Sequence, residues 1–469
     1  MGRFGSRDPQ LAALLAEQPG WGLFRDMELG LAAEAFGGAD ALAGRVGGAR
    51  AWLELAALYD ALDGLVLEAE AAYLDGLGPQ AGARVRLDRG LAALRLGDLE
   101  TARRALGDPP PAEAGGAAWA LGRAALAALE GDAAGARRQW AQAPFAAAGE
   151  DEDLLYAGCF LWGLPCPRQP AGAYAAAVAA LERGDAPAAL EALRGGAGTG
   201  APAVFFYYPL LRRACATLAA AQVAGEQGPA AAYWGAEARA HLGRWGDAAR
   251  EYGRVADGAA EPSGPAGWLF SPIHDREEAA RLARVAEGAA RYRGGERAQG
   301  LALWRGVLAG GDPGPLVLAR LAAEQAEAGS AQPLASAAAA AAEALAAVAA
   351  AQSRLQETEG APVPPALYAV RVAAVSRLGA RVARAQGDRR RAADLLDGAH
   401  LKASGHRPGF VNPPGYLADL AREYAAAGEY APAVGLLFSL AGEVSEARAA
   451  YESLKRLYAS RAGGEAPPR

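Results

Sequence analysis

A glycine followed five residues later by a small residue and nine residues later by a bulky one recurs eight times along this 469-residue chain. The instances are Gly64/Ala69/Tyr73, Gly97/Ala102/Leu106, Gly131/Ala136/Trp140, Gly184/Ala189/Leu193, Gly243/Ala248/Tyr252, Gly295/Gly300/Trp304, Gly387/Ala392/Leu396 and Gly428/Ala433/Leu437. A glycine that closes one helix enters the left-handed conformation without steric cost, and the next residue, often Asp here, opens another helix. Five residues on, a small side chain sits where the two helices cross most closely. The bulky residue four further lies one turn along the same face. The pattern predicts helical hairpins, and a chain too long for one compact core arranges them as an array.

Composition points the same way. Hydrophobic residues make up 52% of the chain but aromatics only 7%, so Ala and Leu, both strong helix formers, carry the balance. Ile273 is the sole isoleucine, and no alternating Val/Ile runs suggest strands. The fold class is all-α. A formal net charge of −6 argues against a general nucleic-acid binder, which needs a basic excess to neutralise phosphates. The first twenty residues lack an apolar core of signal-peptide length, and Glu343 interrupts the alanine tract 336–351, so no membrane insertion and a cytoplasmic location are expected.

At these offsets the chain resembles the tetratricopeptide repeat family. In LADLAREYAAAGEYAPAVGLLFSLA, the residues Leu417, Leu420, Ala421, Tyr424, Gly428, Ala433, Leu437 and Leu440 fall on the family's hallmark positions. Gly97 and Gly131 lie 34 apart and Gly64 and Gly97 lie 33 apart, whereas later spacings are 53, 59, 52 and 92 residues, up to Gly387. The resemblance implies a right-handed α-solenoid of antiparallel helical hairpins, about ten in number. Extra or degenerate hairpins would occupy 205–225 and 315–329. Glycine- and proline-rich breakers suggest a helical cap at 1–48, an array at 49–260, a loop at 261–275, a second array at 276–440, and a capping helix with a disordered tail at 441–469.

Chemistry is sparse. His241, His274, His400 and His406 form no HExxH and no Cys/His ligand cluster, and Cys159, Cys166 and Cys215 form no CxxC, so no catalytic, cofactor or metal site is expected. His274 with Asp275, Glu277 and Glu278 reads as a helix start with acids at the positive end of the dipole. Trp140 and Trp304 occupy the bulky hallmark position and read as core. Trp268 and Phe270 lie in a proline-bounded loop that covers the array or contacts a partner.

The family lines its groove with first-helix residues about three, six and ten before the conserved glycine. Here those positions are Arg384, Arg381 and Arg377 before Gly387, and Arg422 before Gly428. Such a strip suits a carboxylate-rich peptide through forked hydrogen bonds, or is a solvated face paired with nearby Asp and Glu. The resemblance implies a non-catalytic scaffold or adaptor that holds a protein or peptide, with the arginine strip suited to an acidic segment of it. A second reading is a homo-oligomeric structural component that self-associates through the Trp268 loop or the C-terminal helix. An all-α enzyme is a third.

Overall fold

The computed structural model describes residues 41–78, 82–107, 116–141, 152–165, 171–196, 202–225, 229–258, 276–311, 314–329, 350, 365–406 and 414–461. Among these the chain is all-helical, with 19 α-helices, one 3-10 turn and no strand. In chain order the helices begin with α1 (Ala41–Gly76), α2 (Ala83–Leu96), α3 (Leu99–Leu106), α4 (Gly116–Leu129), α5 (Ala133–Ala141), α6 (Glu152–Trp162) and α7 (Ala173–Glu182). Next come α8 (Ala186–Gly196), α9 (Ala203–Gln222), α10 (Pro229–His241), α11 (Trp245–Gly258), α12 (Arg276–Arg293) and α13 (Arg297–Ala309). The rest are α14 (Pro315–Gly329), α15 (Pro365–Ala385), α16 (Arg389–His406), α17 (Pro414–Ala426), α18 (Tyr430–Glu443) and α19 (Arg448–Arg461).

Seven of the eight pattern glycines end a helix in the left-handed region: Gly97, Gly131, Gly184, Gly243, Gly295, Gly387 and Gly428, with φ between +75° and +97°. The residue after the glycine sends its N–H back to the carbonyl five positions earlier, as Asp98 does to Ala93, Asp132 to Ala127 and Asp388 to Ala383, each at 2.9 Å. That bond satisfies a carbonyl which the helix end leaves unpaired. The same aspartates then cap the next helix. Asp98 accepts from the Thr101 N–H at 3.0 Å, Asp132 from Gly135 at 2.7 Å, Asp185 from Ala188 at 3.2 Å and Asp388 from Arg391 at 3.0 Å. One Gly-Asp pair therefore stops one helix and starts the next.

The small residue at each crossing is buried: Ala102, Ala189, Ala248, Ala392 and Ala433 are fully enclosed, and Ala136 and Gly300 nearly so. At the bulky position Leu106, Trp140, Leu193, Tyr252, Trp304, Leu396 and Leu437 are at most 2% exposed. Burying a side chain of this size contributes about 1.5 to 3 kcal/mol. Both tryptophans also place their indole N–H: Trp304 donates to the Val285 carbonyl at 3.0 Å and Trp140 to that of Pro165 at 2.5 Å.

Gly64 departs from the expectation. It lies inside α1, which runs unbroken from Ala41 to Gly76. Leu62, Leu65 and Val66 around it are almost wholly buried, and that burial outweighs the roughly 1 kcal/mol that glycine costs a helix interior. The segments at 205–225 and 315–329 are likewise corrected, since each forms a single helix, α9 and α14. The expected loop 261–275, with Trp268, Phe270 and His274, lies outside the described residues, as do 1–40, Cys166 and 462–469.

The chain forms two compact units that interleave along the sequence. The first comprises Met1–Leu55 and Ala216–Ala427, the second Ala56–Cys215 and Gly428–Arg469. In the first unit, Tyr233, Ala248 and Tyr252 of the α10/α11 hairpin share a core with Ala283, Ala286 and Ala290 of α12. Leu282, Val285 and Trp304 of α12/α13 in turn pack on Val317 and Leu321 of α14. In the second unit, Leu121, Ala124, Ala136 and Trp140 of α4/α5 pack on Leu155 and Cys159 of α6. Each hairpin closes its core on a helix that follows it, as a unit too small to bury its own apolar face must.

Candidate functional site

The arginines expected to line a groove lie together in the first unit, and their donors are already engaged. On α15, Arg377 Nε donates to Asp419 of α17 at 2.9 Å and its guanidinium lies 3.8 Å from Glu54 of α1. Arg381, one helical turn on, reaches Glu327 at 2.7 Å and Glu324 at 3.2 Å, both on α14. Arg384 donates to Glu423 and lies 3.6 Å from Asp419. Arg389 of α16 meets Glu423 at 3.3 Å. Arg422 is half-buried on α17.

Two carboxylates organise this strip. Glu324, with a side chain 1% exposed, accepts from Arg320 at 2.8 Å, from Arg293 at 2.7 Å and from Arg381. Burial pushes its carboxyl up, but Arg320, Arg381 and Arg293 outweigh that and hold it well below the usual carboxylate range. Reciprocally, burial pulls the Arg320 and Arg381 guanidiniums down, and Glu324 overrides this to hold both above their ordinary value. Glu423, fully buried, bridges Arg384 and Arg389. A partner carboxylate entering here must displace a buried acid from its arginines, and breaking such a pair costs about 3 to 5 kcal/mol. The arrangement braces α12, α14, α15, α16 and α17 against one another.

The second unit repeats the theme around α1. From Trp52 to Leu74 only Asp60 is exposed on this helix, so it is buried on nearly every side. Four of its acids in this unit still find an arginine from another helix. Asp75 takes a forked pair from Arg89 of α2 at 2.6 and 3.0 Å, Asp63 pairs with Arg95 of α2, Asp60 with Arg212 of α9, and Glu70 with Arg456 of α19 at 2.5 Å. Burial raises the Asp63 carboxyl against the opposing pull of Arg95 and Arg212, and raises that of Glu70 against Arg456. The C-terminal helix is tied to the same place. Tyr208 Oη donates to the Glu446 carbonyl at 2.9 Å and accepts from the Ala450 N–H at 3.0 Å. An acidic helix of the chain itself is thus seated among arginines, the role foreseen for a foreign peptide.

Sequence reasoning missed α1 because Gly64 made it read as a hairpin. The signal that distinguishes it is the next residue: Leu65 follows Gly64, while an acidic residue follows six of the seven turn glycines. Among the described residues no group of His, Cys, Asp and Glu is placed to hold a metal ion, and no helix is long and apolar enough to cross a membrane. Cys159 and Cys215 are buried and form no disulfide among the described residues.

The fold and these networks define an all-helical protein of glycine-turned hairpins with arginine–carboxylate braces in its interior. No family model matches the chain, and no curated protein matches it.

Proposed function

We propose that this chain is a non-catalytic scaffold that holds a partner protein or peptide, built as a right-handed α-solenoid of tetratricopeptide-type hairpins. The observation that carries the reading is the repetition of one turn. Seven glycines at left-handed φ are each followed at fixed offsets by a buried small residue and a buried bulky one. A fold made by repeating one hairpin generates extended surface, and extended surface is what binds polypeptide. Because Arg381 and Arg384 are matched by buried acids and Arg377 by half-buried ones, the partner engages the outside of the array and these arginines serve its interior. Two buried cysteines in no disulfide among the described residues suit a reducing compartment such as the cytoplasm.

Affinity capture from the host's own lysate, followed by calorimetry with the purified partner, tests the scaffold. Saturable binding at a fixed stoichiometry with the partner chemically unchanged is the expected result. A captured molecule that leaves covalently altered overturns it in favour of an enzyme. One observation favours the second reading, self-association: Phe438 of α18 is 64% exposed, with the Tyr451 ring of α19 5.8 Å away. A solution mass of one chain by light scattering at micromolar protein rules that reading out.

A further inference from the structure

In the second unit the hairpins α2/α3 and α4/α5 leave between them a groove of about 180 Å³, lined by Leu106 and Leu126 and by Arg103, Arg123, Glu130 and Gln139. The two leucines are buried and form an apolar floor. Arg103 and Arg123 are exposed at the rim. Arg103 is ion-paired with Glu130, its own side chain remaining 60% exposed, whereas no ion pair among the described residues engages Arg123. Gln139 Oε1 is buried and, among the described residues, accepts no hydrogen bond, an unmet demand for a donor.

These features select one chemistry. The arginines call for carboxylates, the Gln139 oxygen calls for an N–H, and the leucine floor calls for an aliphatic side chain. A polypeptide with alternating acidic and aliphatic residues supplies all three from one strand, since successive side chains of an extended chain point to opposite sides. A nucleic acid offers charge but nothing for the floor. The surface continues along α5, where exposed Arg137 and Arg138 stand at the same offsets from Gly131 as Arg103 and Arg104 do from Gly97. In a chain of net charge −6 such a concentration of arginine draws acidic segments to this face.

We propose that this groove is the docking site for an extended acidic and aliphatic segment of a partner protein. The carboxylates fork onto Arg103 and Arg123, a backbone N–H donates to Gln139, and an aliphatic side chain rests on Leu106 and Leu126. The site rests on the scaffold reading.

The test is fluorescence anisotropy with a short labelled peptide alternating glutamate and leucine, titrated with the full chain at low and raised salt. The expected results are saturable binding that weakens with salt and a Kd raised about tenfold to hundredfold by Arg103→Glu with Arg123→Glu. Gln139→Leu should weaken binding at an unchanged salt slope. A charge-matched control on exposed positions of the first unit, Arg254→Glu with Arg305→Glu, should leave it within about twofold. The four arginines are exposed and Gln139 is half-buried, and melting curves verify that every variant folds. Absence of saturable binding by wild type, equal binding by the Arg103/Arg123 variant, or equally tight binding of single-stranded DNA overturns the site. The scaffold reading fails separately. A partner captured from lysate equally by wild type and variant leaves the scaffold standing and removes this groove, whereas no capture by either removes the scaffold itself.

Discussion

Glu324 shows how a single side chain decides what an arginine strip is for. Three guanidiniums converge on one buried carboxylate, so replacing it by the neutral isostere leaves them facing an amide. Glu324→Gln should destabilise the protein by about 3 to 5 kcal/mol at pH 7. The acid limb gives a second signature. The native carboxyl is held below its ordinary value of 4.5, so its contribution is complete above that value and is lost as pH falls through the folded pKa. Thermal unfolding between pH 7 and 3 should therefore show a steeper acid-side fall in wild type than in the variant. Parallel slopes would mean that Glu324 gains nothing from its arginines. The sequence made the arginines legible, since their spacing before Gly387 places them on one face of a helix. Their partners were not legible: Glu327 and Glu324 lie 54 and 57 residues from Arg381, and Asp419 lies 42 from Arg377. Pairing at that separation is set by packing, and no local pattern encodes it.

Hairpins were the most legible elements, because glycine, cap and crossing residue fall within ten positions and each has a local physical cause. The exception, Gly64, shows how a local rule yields to burial on all sides. One crossing is tighter than the others. At Gly300, in α13, an added Cβ would stand 2.5 Å from the Gly288 carbonyl oxygen and 3.1 Å from the Tyr292 backbone N, which explains why this repeat has glycine where the others have alanine. Gly300→Ala must push α12 and α13 apart and should cost about 1 to 3 kcal/mol. Gly398→Ala is the matched control: the site lies in α16 with no packing atom of the described residues within 4 Å of the new methyl beyond the helix's own backbone and adjacent residues, and the change should stabilise by about 0.5 to 1 kcal/mol through helix propensity. Denaturant midpoints of both variants check the pair, and equal shifts would place the effect in propensity alone.

At the scale of the molecule, two compact units are each assembled from stretches far apart in the chain. Breaker residues mark candidate boundaries along the chain, whereas compaction reflects long-range burial, which they do not report. The most consequential feature at this scale is α1, apolar on almost every side yet carrying acids that meet arginines from α2, α9 and α19. If α1 is a permanent part of the interior, partners bind outside; if it is a removable occupant, the arginines are a groove after all. Hydrogen exchange read by mass spectrometry decides between these, with and without excess acidic peptide. With α1 a permanent part of the interior, amides of residues 56–74 should exchange among the slowest in the protein, as those of buried core helices do, and peptide should leave them unchanged. Rapid exchange across α1, or loss of its protection when peptide is added, would contradict that placement.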